Sequence, residues 1–163
     1  MAKTKDFRND LQQYLKSLND NSKNVNYEGL ITARTSIDST ELSKLKLGYT
    51  SRFAAKKFFE IHLAIERPIE EMIDCIYPSV TLPDKPQKEF TKKRSELSNI
   101  LFGSFTEEEI EYKTGIAKKR LKNILEDNEV IILTSELILI ELATKRKKGS
   151  LFKQLFKKVT IKK

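Results

Sequence analysis

The chain has 163 residues, with five glycines, four prolines, 33% charged residues and a net charge of +8. That length buries one sizeable core or two small helical ones, and the composition suits a folded, all-α protein and argues against disorder. A single cysteine, Cys75, excludes a disulfide framework, and a single histidine, His62, excludes the usual zinc clusters.

Met1 to Asp10 is polar and charged, with no apolar signal region. Between Asp6 and Leu18, the residues Phe7, Leu11, Tyr14, Leu15 and Leu18 recur at spacings of three and four, predicting a helix with one apolar stripe. Asn19 to Asn26 reads as a loop. Ser39 to about Tyr77 is helical again. Leu42, Leu45 and Leu47 precede Gly48, Phe53, Phe58, Phe59 and Ile61 follow it, and Ile69, Met72, Ile73 and Ile76 form a further stripe opened by Pro68. Within these stripes His62 has no metal-ligand companion, and Cys75 reads as a small buried apolar residue.

Three prolines between Pro78 and Lys92 predict an extended linker. A fourth helical region begins near Lys93, carries Leu97, Ile100 and Leu101, and stops at Gly103. The division that follows is a helical N-terminal domain at 1–77, a linker at 78–92 and a C-terminal domain at 93–163. Ser39–Tyr77 and Thr106–Ala143 share a loose order of short helix, glycine and apolar helix. That likeness is weak enough that two unrelated bundles are expected.

Phe105 to Asn128 is the most informative stretch. Thr106 with Glu109 three residues on forms a capping-box pattern, and Phe105 and Ile110 sit where a hydrophobic staple would close around it. Gly115 stands where a helix ends in a left-handed residue. A second helix then begins near Ala117 and buries Leu121, Ile124 and Leu125. Its other face carries Lys118, Lys119, Lys122 and Asn123, with Arg120 at the edge. Lysine and arginine meet phosphates or guanine edges, asparagine pairs with adenine, and a major groove admits one such helix.

Thr106 to Ile110, Lys113 to Ile116, Leu121 and Ile124, with Leu133 to Leu137 and Ile140 to Ala143 after them, resemble the lambda-repressor-like helix-turn-helix DNA-binding family. The resemblance covers about residues 97–143. It implies that Ala117 to Leu125 is the recognition helix, that Thr106 and Glu107 lie near the DNA backbone, and that the protein acts as a homodimer on paired half-sites. Two positions depart from the family pattern: Glu111 replaces a small residue and Glu107 a neutral amide.

The charge is uneven. Residues 1–81 hold 12 basic and 11 acidic side chains, whereas residues 82–163 hold 19 and 12. Such a bias attracts polyanions. Lys145, Arg146, Lys147 and Lys148 form a basic cluster suited to phosphate anchoring. Leu151, Phe152, Leu155, Phe156 and Val159 then recur at helical spacing. This last helix could pack on the protein, serve a dimer contact, or lie on an anionic membrane surface.

The longest apolar stretch, 130–143, is interrupted by Thr134, Ser135, Glu136 and Glu141 and is too short to span a bilayer. No membrane insertion is expected, and the expected setting is cytoplasmic. No phosphate-cradling glycine loop, nucleophile elbow or His/Glu metal box occurs, so neither catalysis nor a cofactor is expected. The functional expectation is a transcription regulator that binds duplex DNA, with residues 1–77 free for a protein partner. The alternative is a protein–protein interaction module or assembly factor whose basic surface is merely solvated.

Overall fold

The computed structural model describes residues 9–21, 24–48, 53–86, 99–103, 105–126 and 130–161. The described chain is all-helical apart from one isolated antiparallel bridge between Ala54 and Leu133. Its helices are α1 (Leu11–Asn21), α2 (Tyr27–Arg34), α3 (Ser39–Lys46), α4 (Ala55–Ile65), α5 (Ile69–Ile76), α6 (Asn99–Phe102), α7 (Glu107–Thr114), α8 (Lys118–Glu126), α9 (Thr134–Ala143) and α10 (Ser150–Leu155).

Local chemistry sets these boundaries. The Asn9 carboxamide accepts from the Leu11 N–H at the start of α1, and the stripe Leu11, Tyr14, Leu15 and Leu18 is buried. The expected beginning of this helix at Asp6 lies outside the described residues. Helix α2 has no counterpart in the periodicity analysis, because it buries only Tyr27 and Ile31. What announces it is the Asn26 cap, which accepts from the Gly29 N–H. Asp38 caps α3 in the same way through the Glu41 N–H. Pro68 stands at the N-cap of α5 with φ −58°, and the expected opening of α6 near Lys93 lies outside the described residues. Cys75 is exposed rather than buried, because it sits beside Asp74 on the outer side of a stripe whose inner side is Met72, Ile73 and Ile76.

The two halves of the chain are copies of one helical unit. Ile31 and Ile110, Thr35 and Thr114, Ile37 and Ile116, and Leu42 and Leu121 are identical pairs, each 79 positions apart, and all eight residues are buried or half-buried. The Thr35 hydroxyl donates to the Ile31 carbonyl at 2.6 Å and accepts from the Ile37 N–H at 3.1 Å. The Thr114 hydroxyl donates to the Ile110 carbonyl at 2.6 Å and accepts from the Ile116 N–H at 3.1 Å. Glu66 and Lys145, the positive-φ non-glycine residues among those described, are also 79 apart, with φ 55° and 57°. The unit α2–α3–α4–α5 thus recurs as α7–α8–α9–α10. The expectation of unrelated bundles failed because it matched Gly48 with Gly115, whereas Gly48 follows α3 and Gly115 follows α7.

The copies meet around a two-fold relation. The Ala55 N–H donates to the Ile132 carbonyl at 2.7 Å, and the Thr134 N–H to the Phe53 carbonyl at 2.8 Å. Exchanging the copies maps one bond onto the other. The buried Thr134 hydroxyl adds a second bond to the Phe53 carbonyl at 2.8 Å. Helices α4 and α9 pack at this joint, and α10 lies on α4 with Phe152 and Phe156 against Phe58 and Phe59, ring centroids 5.5 and 5.6 Å apart. The apolar side of the last helix therefore packs on the protein. Across the joint α5 supplies acids, and α10 with the turn before it supplies bases: Asp74 pairs with Lys148 at 2.5 Å and Glu70 with Lys153 at 2.6 Å.

One hydrophobic core runs through both halves, from Leu11 to Phe152. The Pro-containing stretch is laid against it over 78–86. Val80 is buried, Leu82 packs on the core, and the Pro86 carbonyl accepts from the Tyr112 hydroxyl of α7 at 2.8 Å.

Candidate nucleic-acid interface

Helices α7 and α8 are separate and are joined by three residues. Thr106 is buried and its hydroxyl accepts from the Glu109 N–H at 3.2 Å, so its role in the fold is to cap α7. Gly115 closes α7 at φ 80°, a left-handed conformation that glycine adopts without steric penalty. Ile116 is fully buried, and half-buried Ala117 leads into α8, its carbonyl accepting from the Leu121 N–H.

The Glu111 carboxylate braces the turn between the two helices. Its Oε2 accepts from the Lys118 N–H at 2.5 Å and so satisfies a free donor at the first turn of α8. A small residue could not do this.

Helix α8 is two-sided. Leu121 and Ile124 are buried, while Lys119, Lys122 and Asn123 are exposed and make no hydrogen bond or ion pair among the described residues. Lys118 stands at the margin, half-buried, its ammonium 3.3 Å from Glu108 in an exposed pair of little strength. Arg120 is engaged elsewhere. Its guanidinium grips the Glu136 carboxylate with two bonds of 2.8 Å and donates a third to the Ile131 carbonyl at 2.6 Å. The bonds to Glu136 push its pKa further above the ordinary guanidinium value. The outward ridge is therefore Lys119, Lys122 and Asn123, with Lys118 beside it.

The second basic group lies on the turn between α9 and α10, where its members have different fates. Lys145 and Lys147 are exposed, and Lys148 pairs with Asp74. Arg146 is half-buried and donates to the Leu101 carbonyl of α6 at 2.6 Å. Burial lowers its pKa, against the attraction of nearby Glu141. The fully buried Glu141 carboxylate holds this turn, accepting from the Gly149 N–H at 3.0 Å and the Leu151 N–H at 2.7 Å. Burial raises its pKa, partly offset by those bonds. In the first copy His62 occupies the Glu141 position, and its Nδ1 lies 2.5 Å from the Arg67 carbonyl.

Sequence reasoning thus brought Lys118, Lys119, Lys122 and Asn123 together correctly on one helix. It missed Glu136 as the partner of Arg120 and Leu101 as the partner of Arg146, both of which are contacts between elements distant in sequence. Among the described residues no group of His, Cys, Asp and Glu could hold a metal ion, and no helix is long and apolar enough to cross a membrane. Compared with family models, curated proteins and solved structures, the chain matches none.

Proposed function

We propose that the chain is a non-enzymatic, DNA-binding transcription regulator of the lambda-repressor-like helix-turn-helix kind, acting in the cytoplasm, with α8 as its recognition helix. The observation that carries the reading is the two-sidedness of α8: Leu121 and Ile124 anchor it while Lys119, Lys122 and Asn123 face solvent unpaired among the described residues. A bare cationic face on a helix set off by a glycine turn matches the width and charge of a major groove. Lys118, Lys119 and Lys122 would neutralise phosphates or meet guanine edges, and Asn123 would pair with adenine. Lys145 and Lys147, exposed on their turn, would add sequence-independent phosphate contacts. Arg120, Arg146 and Thr106 would act indirectly, by holding α8, the α9–α10 turn and α7 in place.

The test is the salt dependence of binding to a mixed-sequence duplex, for the parent and for a variant with Lys118, Lys119 and Lys122 all changed to Ala. The parent's log affinity should fall with log salt at a slope near −0.9 per phosphate contact. The variant should bind far more weakly while keeping its helical content. Equal binding by parent and variant would remove α8 from the reading, and with it the DNA function.

A further inference from the structure

We infer that the chain carries a second DNA-contacting face, on α3, so that one molecule engages two unlike half-sites of a duplex without a second copy. This rests on the reading of α8 just given.

The register between the copies assigns the face. Lys118, Lys119, Lys122 and Asn123 of α8 correspond at 79 positions to Ser39, Thr40, Ser43 and Lys44 of α3. All four of these α3 residues are exposed, while Leu42 and Leu45, the counterparts of Leu121 and Ile124, are buried. The helix is oriented by equivalent devices. The Thr35 hydroxyl shapes the turn before α3 as the Thr114 hydroxyl shapes the turn before α8. An ion pair to the following helix fixes each one, Glu41 to Lys57 in the first copy and Arg120 to Glu136 in the second. The two pairs occupy equivalent positions, with the charges exchanged.

Two equivalent helices related by a two-fold suit a duplex, whose backbone has local two-fold symmetry of its own and whose paired half-sites are ordinarily met by two subunits. Here the reciprocal bonds at Ala55 and Thr134 build that arrangement within one chain. The joint is also unlike on its two sides, since acidic α5 faces basic α10. Among the described residues, the backbone groups of that joint are already taken up within the chain. The two faces differ in chemistry. Lysine-rich α8 would dominate affinity, while hydroxyl-rich α3 would add hydrogen bonds to phosphates or base edges and would read a different half-site.

The experiment compares two mixed-sequence duplexes, one of about 10 base pairs, a single half-site, and one of about 25, enough for two. Ser39→Glu with Thr40→Glu places repulsive charge on the exposed face of α3, and both positions lie in the first turn, where glutamate leaves a helix stable. This double variant should lose at least tenfold in affinity for the long duplex and retain the parent's affinity for the short one. Changing Lys118, Lys119 and Lys122 to Ala should weaken both. If the α8 variant is weakened and the α3 variant binds the long duplex like the parent, the α3 face is refuted and the α8 reading stands. If the α8 variant binds both duplexes like the parent, both readings fall.

Discussion

The Arg120 guanidinium meets the Glu136 carboxylate through two parallel 2.8 Å bonds, and 79 positions earlier Glu41 meets Lys57 with the signs reversed. Helix α8 is pinned to α9, and α3 to α4, by the same geometric link carrying opposite polarity. Glu136 is almost buried, so removing Arg120 strands a carboxylate with little water to solvate it.

Arg120→Ala should therefore destabilise the protein by about 2 kcal/mol in urea unfolding, more than an exposed ion pair would. Reversal should be informative. Arg120→Glu alone should cost more than the alanine change, and adding Glu136→Lys should restore part of the loss, because the first copy already uses that polarity. Restoration will be incomplete, since Glu136 also accepts from the Leu133 N–H at 3.0 Å and the first copy has no such cap. A double variant no more stable than Arg120→Glu would show that the link is not transferable between copies.

The paired threonines give a second test. Thr35→Val and Thr114→Val keep the shape of the side chain and remove the hydroxyl, leaving the Ile37 or Ile116 N–H without its acceptor. Each should cost about 1–2 kcal/mol. Thr114 and Ile116 are both buried, whereas Thr35 is half-buried, so the second copy should suffer more. Equal or reversed losses in denaturant unfolding would contradict the equivalence as drawn.

Gly115→Ala should cost about 1 kcal/mol, the penalty for a side chain at left-handed φ, because the added Cβ would meet only Pro83 Cγ at 3.7 Å. Gly149→Ala should cost clearly more, since its Cβ would stand 2.6 Å from Ile69 Cγ2 as well as being at φ 90°. Thermal unfolding of the two variants should rank them in that order.

His62 and Glu141, equivalent positions, should tilt stability in opposite directions with pH. Burial holds the His62 pKa below the ordinary imidazole value of 6.5. The unfolded chain therefore takes up this proton first, and stability is lost as pH falls from about 6.5 toward the folded value. Burial holds Glu141 above the ordinary carboxyl value of 4.5, so its contribution is greatest below 4.5 and is lost as pH rises through the folded value. His62→Gln should flatten the first slope and Glu141→Gln the second, read as unfolding midpoints from pH 4 to 8. If both slopes survive these changes, other groups carry them.

The class of the fold and most of the second copy were legible in the sequence. Thr106, Gly115 and the stripe of Leu121 and Ile124 are local signals, and each sits as local chemistry required. The duplication was hidden because the residues the copies share are few, mostly buried and spread out, while the surfaces between them differ, serine and threonine in one copy and lysine in the other. Glycines caught the eye instead, and the structural counterpart of Gly115 is Ser36, which sets the correct register. Helix α2 escaped notice because two buried residues do not make a stripe. The fates of Arg120 and Arg146 depend on partners 16 and 45 positions away, which no local pattern encodes.

Gly149 stands where the first copy has Glu70, and its missing side chain is what lets the start of α10 press against Ile69. Two first halves brought together would place a glutamate in that gap, and two second halves would set a lysine, Lys148, where the isoleucine belongs. The order of the tandem is thereby written into its seam.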